Sequence, residues 1–179
     1  LIIGLALTAA LAFFLGAITL RLSGHYLPLG TIAWGLSLYY LFGNIEWLGK
    51  HDGISGIEPL SVFGISLAPG RNIYMLIWLL VLLSIWATSN LLNSRPGRAI
   101  RALKSGAAMA ESFGVNTAAY KIIIFVYAAL LACLSGWLYA HMQRAVSPSP
   151  FGLTHGIEYL FMAVVGGAGY VWGAILGAA

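Results

Sequence analysis

Apolar residues fall along this chain in long runs, with polar residues gathered between them. A helix rising about 1.5 Å per residue needs about 20 apolar residues to cross a bilayer core of about 30 Å. Five stretches approach or exceed that length: Leu1 to Leu20, Tyr26 to Gly43, Asn72 to Leu92, Ile122 to Ala140 and Ile157 to Ala179. Glu158 is the one charged side chain within them. None shows the alternation of a half-buried strand, and an open strand in lipid would leave its backbone unpaired, so the pattern predicts an all-α polytopic helical membrane protein. Two stretches are less regular. Pro28 and Gly30 interrupt the second, and Gly166, Gly167, Gly169, Gly173 and Gly177 crowd the fifth, so each is a candidate for a broken or partly re-entrant helix.

Composition strengthens this picture. Of 179 residues, 60% are apolar and 8% charged, against roughly 45–50% and about 25% in soluble domains. A mean hydropathy of +0.90 agrees, and water-soluble enzyme classes become improbable. The net charge of +4 does not point to nucleic acid, because the nine Lys and Arg are spread among apolar runs and build no basic face. Cys133 is the only cysteine, so no disulfide can form within the chain. The first run lacks a basic n-region and a small-residue cleavage pattern, which argues against a signal peptide. A start at Leu1 and an end at Ala179 inside an apolar run read as a fragment of a longer chain.

The basic residues orient the spans, since Lys and Arg are retained on the cytoplasmic side of short loops. The segment from Asn93 to Lys121 carries Arg95, Arg98, Arg101, Lys104 and Lys121 against one acid, Glu111, and is placed inside. Counting spans from it puts Arg21 inside and the loops from Asn44 to Arg71 and from Gln143 to Gly156 outside. Six of the nine basic residues then lie on the inner side. Within the inner segment Pro96 suits a first helical turn and Gly114 the position after a helix end. Between them Ile100, Leu103, Ala107, Ala110 and Phe113 recur at helical spacing, predicting a short amphipathic helix that either lies on anionic headgroups or docks on a partner.

At these residues the chain resembles the inner-membrane permease subunits of bacterial ABC importers for branched-chain amino acids, most of all the M-type subunit of the permease pair. Three stretches carry the resemblance in order: GRAIRALK, AESFGVNTAAYKIIIFVYAALLACLSGWLYAH and SPSPFGLTHGIEYLFMAVVGGAGYVWGAILGA. HDGISGIEPLSVFG matches more loosely. The resemblance covers roughly the last half of the chain well and the rest in hydrophobic pattern. It implies one transmembrane permease domain over residues 1–179, with a cytoplasmic loop at 93–121, in a bacterial inner membrane. Its implied partners are the lipid bilayer, a second, similar permease, two cytoplasmic ABC ATPases and a periplasmic substrate-binding protein. It also implies a coupling helix for the ATPase at Ala107 to Gly114, with Met109, Ala110, Glu111 and Phe113 among its residues. The chain departs from the family where an acidic run often follows the basic stretch: Ser105 and Gly106 stand there, and the helix is expected to begin or kink near Gly106.

Candidate chemistry is sparse. The chain contains no G-x-x-x-x-G-K-[ST], so ATP hydrolysis is assigned to partner subunits, and no cofactor is expected. GGAGYVWG is no dinucleotide fingerprint, since neither a strand before it nor a polar helix after it is plausible in a membrane run. Gly53, Ser55 and Gly56 form a G-x-S-G similar to the serine motif of rhomboid proteases, for which His141 or His155 would have to serve as base. Both histidines sit at the edges of an outer loop, and the simpler reading is a glycine-containing loop. The four histidines show no metal-ligand spacing. Six tryptophans and nine tyrosines fit an interfacial belt. Glu158 is either a charge at membrane depth, with a role in transport, or a first-turn acid favoured by the helix dipole. Gly166, Gly167 and Gly169 are candidates for a helix break lining the solute path. Gly169, Gly173 and Gly177, four apart, equally suit close helix packing.

Overall fold

The computed structural model describes residues 1–20, 26–62, 65–66, 70–167 and 171–178. Helix dominates, and the chain divides into two compact units.

The first unit comprises Leu1–Leu27 and Pro69–Tyr139. It holds α1 (Ile2–Thr19), α3 (Arg71–Asn93), α4 (Arg95–Ser105), α5 (Ala107–Ser112) and most of α6 (Thr117–Gln143). Three helices among the described residues, α1, α3 and α6, are long and apolar enough to cross a membrane. Their apolar surface is turned outward: none of the most apolar stretch of α3 is buried within the chain. Such an exterior is stable only against lipid or neighbouring helices, which is the physical signature of a multi-pass membrane protein. Glycine lets α1 approach α6, where a methyl group at Gly16 would lie 3.1 Å from Phe125. Between α3 and α6, the hydroxyls of Thr88 and Tyr127 meet at 2.8 Å. Thr88 spends its own proton on the Ser84 carbonyl, so the phenol of Tyr127 donates to Thr88.

The second unit comprises Pro28–Ala68 and Ala140–Ala179. It holds most of α2 (Tyr26–Asn44), followed by a 3-10 turn at Glu46–Leu48 and three two-residue strands, β1 (Ile54–Ser55), β2 (Ser61–Val62) and β3 (Ile65–Ser66). Farther along come β4 (Ala145–Val146), a 3-10 turn at Ser149–Phe151, α7 (Leu153–Val165) and α8 (Val171–Ala178). Pro28 leaves α2 continuous because it falls in the first turn, where its missing N–H has no partner to lose. β1 and β4 pair antiparallel, Ile54 opposite Val146 and Ser55 opposite Ala145. The N–H groups of Gly56 and Ile57 extend the pairing by donating to the Arg144 carbonyl. Only glycine fits at position 53, where φ is +74° and a side chain would overlap the Val146 carbonyl. The two loops expected on one side of the membrane are thus joined to each other.

The fifth apolar stretch is broken, as its crowded glycines suggested. Instead of one span over Ile157 to Ala179, the chain forms two helices of 13 and 8 residues. At about 1.5 Å per residue neither reaches across a core of about 30 Å. The cause lies in the backbone: α7 stops at Val165, and Gly167 turns the chain with φ at +92°, a conformation that side chains resist.

Candidate functional site

Two features carry candidate functional residues: the polar arm between α3 and α6, and the hairpin of α7 and α8. The arm starts at Ser94, whose hydroxyl accepts the Gly97 N–H at 3.3 Å and caps α4. Gly97 is buried against the end of α3, where a methyl group would overlap the carbonyls of Leu91 and Leu92. The helical periodicity of the arm breaks at Gly106, as expected there: φ is +132°, and α4 and α5 are separate helices. α5 ends in a Schellman motif: Gly114, at φ +77°, donates its N–H to Glu111, and Val115 donates to Ala110.

Ala110 is buried at 2% exposure, whereas Met109 and Phe113, one turn apart, are 60% and 82% exposed. α5 therefore offers an outward apolar pair that no described residue covers. The Glu111 carboxylate accepts the Thr117 hydroxyl at the start of α6, fixing the joint between the helices. Asn116 caps α6 by accepting the Ala119 N–H at 3.1 Å. Ala107 opens α5 and Gly114 closes it.

In the hairpin, α8 folds back on α7 at backbone contact distance. Methyl groups at Gly166 and Gly173 would each overlap the other's carbonyl, and one at Gly177 would overlap the Met162 carbonyl. Gly166 and Gly167 occupy the turn, while Gly169 lies outside the described residues. Glu158 sits in the second turn of α7 and pairs with His155 at 2.8 Å, both about half exposed. Their i, i+3 spacing on one helix is the sequence signal for that pair. Thr117 as the partner of Glu111 had no comparable signal.

A cavity of about 510 Å3 opens in the second unit beneath the joined loops. One face of α2, Gly35, Leu38, Tyr39 and Phe42, forms a wall, with Ile54 and Phe151 opposite. The lining is almost wholly apolar and holds no charged side chain. The G-x-S-G serine, Ser55, lies in an exposed strand, and His155, one of the bases considered for it, is bonded to Glu158. Among the described residues no group of three or more His, Cys, Asp or Glu could hold a metal ion.

The comparisons with known proteins agree with this architecture. The family described as "Branched-chain amino acid transport system / permease component" matches residues 1–179. The high-affinity branched-chain amino acid transport system permease protein LivM of Escherichia coli (strain K12) is 31% identical over 196 residues, covering 96% of this chain and 46% of that protein. LivM of Salmonella typhimurium is 30% identical over 195 residues with the same coverage. LivH of Escherichia coli (strain K12) is 32% identical over 102 residues, 56% of this chain and 33% of that protein. The chain thus spans about half the length of the LivM relatives it matches. No solved structure matches. With a family model matching its whole length and a multi-pass helical architecture, the chain belongs to the permease components of branched-chain amino acid transport systems.

Proposed function

We propose that the chain is part of the membrane-spanning subunit of an ABC importer in a bacterial inner membrane. It carries branched-chain amino acids inward by alternating access, and it is not itself an enzyme. The observation that carries this reading is the family match over residues 1–179. A second homologous permease completes the translocation unit, as the likeness to both LivM and LivH supports. Two ATPases supply the work, docking at α5 through Met109 and Phe113, and a periplasmic binding protein delivers the solute on the opposite side. The exposure of that apolar pair supports the docking role, and the break at Gly106 makes α5 a helix separate from α4.

Uptake of labelled leucine by the full-length permease, reconstituted with its partner subunits, tests the reading. ATP-dependent accumulation is the expected result. Accumulation of urea or amides without leucine would change the substrate class, and reaction of Ser55 with a serine-directed probe would replace transport by proteolysis.

Orientation gives a separate prediction. In a Cys133→Ala background, Ser55→Cys is expected to react with an impermeant thiol reagent in intact cells and Ser105→Cys to be protected. The pairing of β1 with β4 supports a common side for the two outer loops. Reversed labelling would invert the assignment of α5 to the ATPase.

The hairpin is assigned to the solute path, with Glu158, Gly166, Gly167 and Gly169 as its candidate residues. Short helices meeting at a glycine turn are how transporters expose backbone groups to a polar solute. Gly167→Ala forces a side chain into a left-handed conformation at a cost of about 1 kcal/mol or more. The variant is expected to lower uptake more than it lowers the amount of assembled complex. Proportionate losses would reduce the hairpin to a packing element.

A further inference from the structure

We infer that α4 is a docking surface for the headgroups of anionic phospholipids, and that the ATPase is left to α5. The inference goes beyond the transport reading and does not depend on which solute is carried. α3 is a membrane-spanning candidate ending at Asn93, and α4 begins two residues later at Arg95. The buried Gly97 and the Ser94 cap hold the start of α4 against the end of α3, so its first turns stay at the level where the span leaves the bilayer. Arg95, Arg98 and Arg101 are all exposed, while Ala99, Ile100, Ala102 and Leu103 are half-buried. α4 contains no acidic residue, and among the described residues no carboxylate pairs with any of the three guanidinium groups. Arg101 is steadied by donating to the Asn93 side chain at 3.0 Å.

Three unneutralised arginines beside a span end are matched by lipid phosphates, which guanidinium groups bind through paired hydrogen bonds. Each basic residue near an anionic membrane surface strengthens such binding measurably. α5 has the opposite character: it carries no basic residue and presents Met109 and Phe113. Gly106 separates the two chemistries, leaving α4 as a membrane-bound base from which α5 projects.

The test is a titration of phosphatidylglycerol into the delipidated, detergent-purified full-length transporter, read by native mass spectrometry. The triple variant R95Q/R98Q/R101Q is expected to bind at least roughly tenfold more weakly than wild type. R98Q alone, which leaves the bond from Arg101 to Asn93 in place, should shift binding in the same direction by less. The triple lysine variant, which keeps the charge and loses the paired hydrogen bonds, should recover part of the affinity. Unchanged phosphatidylglycerol binding by the triple glutamine variant overturns the inference. Loss of the ATPase subunits from that variant with lipid binding retained also overturns it, and assigns the arginines to the ATPase.

Discussion

Leucine at Gly173 is expected to abolish recovery of the folded permease, with a cost of about 3 kcal/mol or more. Gly173 is buried where α8 crosses the end of α7, and a methyl group there would already overlap the Gly166 carbonyl and lie 2.8 Å from that of Gly167. Both obstacles are backbone, which cannot step aside as a side chain can. The contact is reciprocal, since Gly166 meets the Gly173 carbonyl in the same way. Gly136→Ala and Gly156→Ala serve as controls: both lie within helices and a methyl group would meet no neighbour within 4 Å. Those variants should be neutral or slightly stabilising, because alanine restricts the unfolded chain more than glycine does. Monodisperse recovery on size-exclusion chromatography, with thermal stability of each variant, makes the measurement. Wild-type recovery of Gly173→Leu would mean that α7 and α8 do not meet as described.

Truncating Phe113 to alanine should cost about 2 kcal/mol of ATPase binding, a reduction of roughly thirtyfold. Phe113 projects from the end of α5 into open surroundings, beside Met109, so its loss removes little from the chain's own packing. Membrane insertion and yield should therefore be unchanged while co-purified ATPase falls. Phe113→Leu, which keeps an apolar side chain, should retain a large part of the binding. Full ATPase recovery with Phe113→Ala would leave α5 without its assigned partner.

Hydropathy made the long spans legible, because α1, α3 and α6 are uniform apolar runs of sufficient length. Hydropathy alone could not decide how the fifth stretch is broken, because an unbroken helix and a hairpin made from the same apolar residues have the same hydropathy. The deciding quantity was a backbone angle at Gly167, for which the adjacent glycines were the only local sign. Gly106 was legible in the same manner, as a glycine within a helical pattern, although the periodicity of Ile100, Leu103, Ala107 and Ala110 runs straight across it. The pairing of β1 with β4 had no local signal at all. Two residues from each strand, about 90 positions apart in sequence, fall below any pattern that period-2 alternation can reveal. Glu158 and His155 were visible individually, and only their relation was missed.

The strand pair has a mechanical meaning. β4 begins two residues after α6 ends at Gln143, with no slack between them. The loop that leaves α2 at Asn44 is fastened to it by the Arg144 carbonyl and by Ile54 opposite Val146. The ends of α2 and α6 are therefore yoked by main-chain hydrogen bonds, which tie the two loops more stiffly than side-chain contacts would.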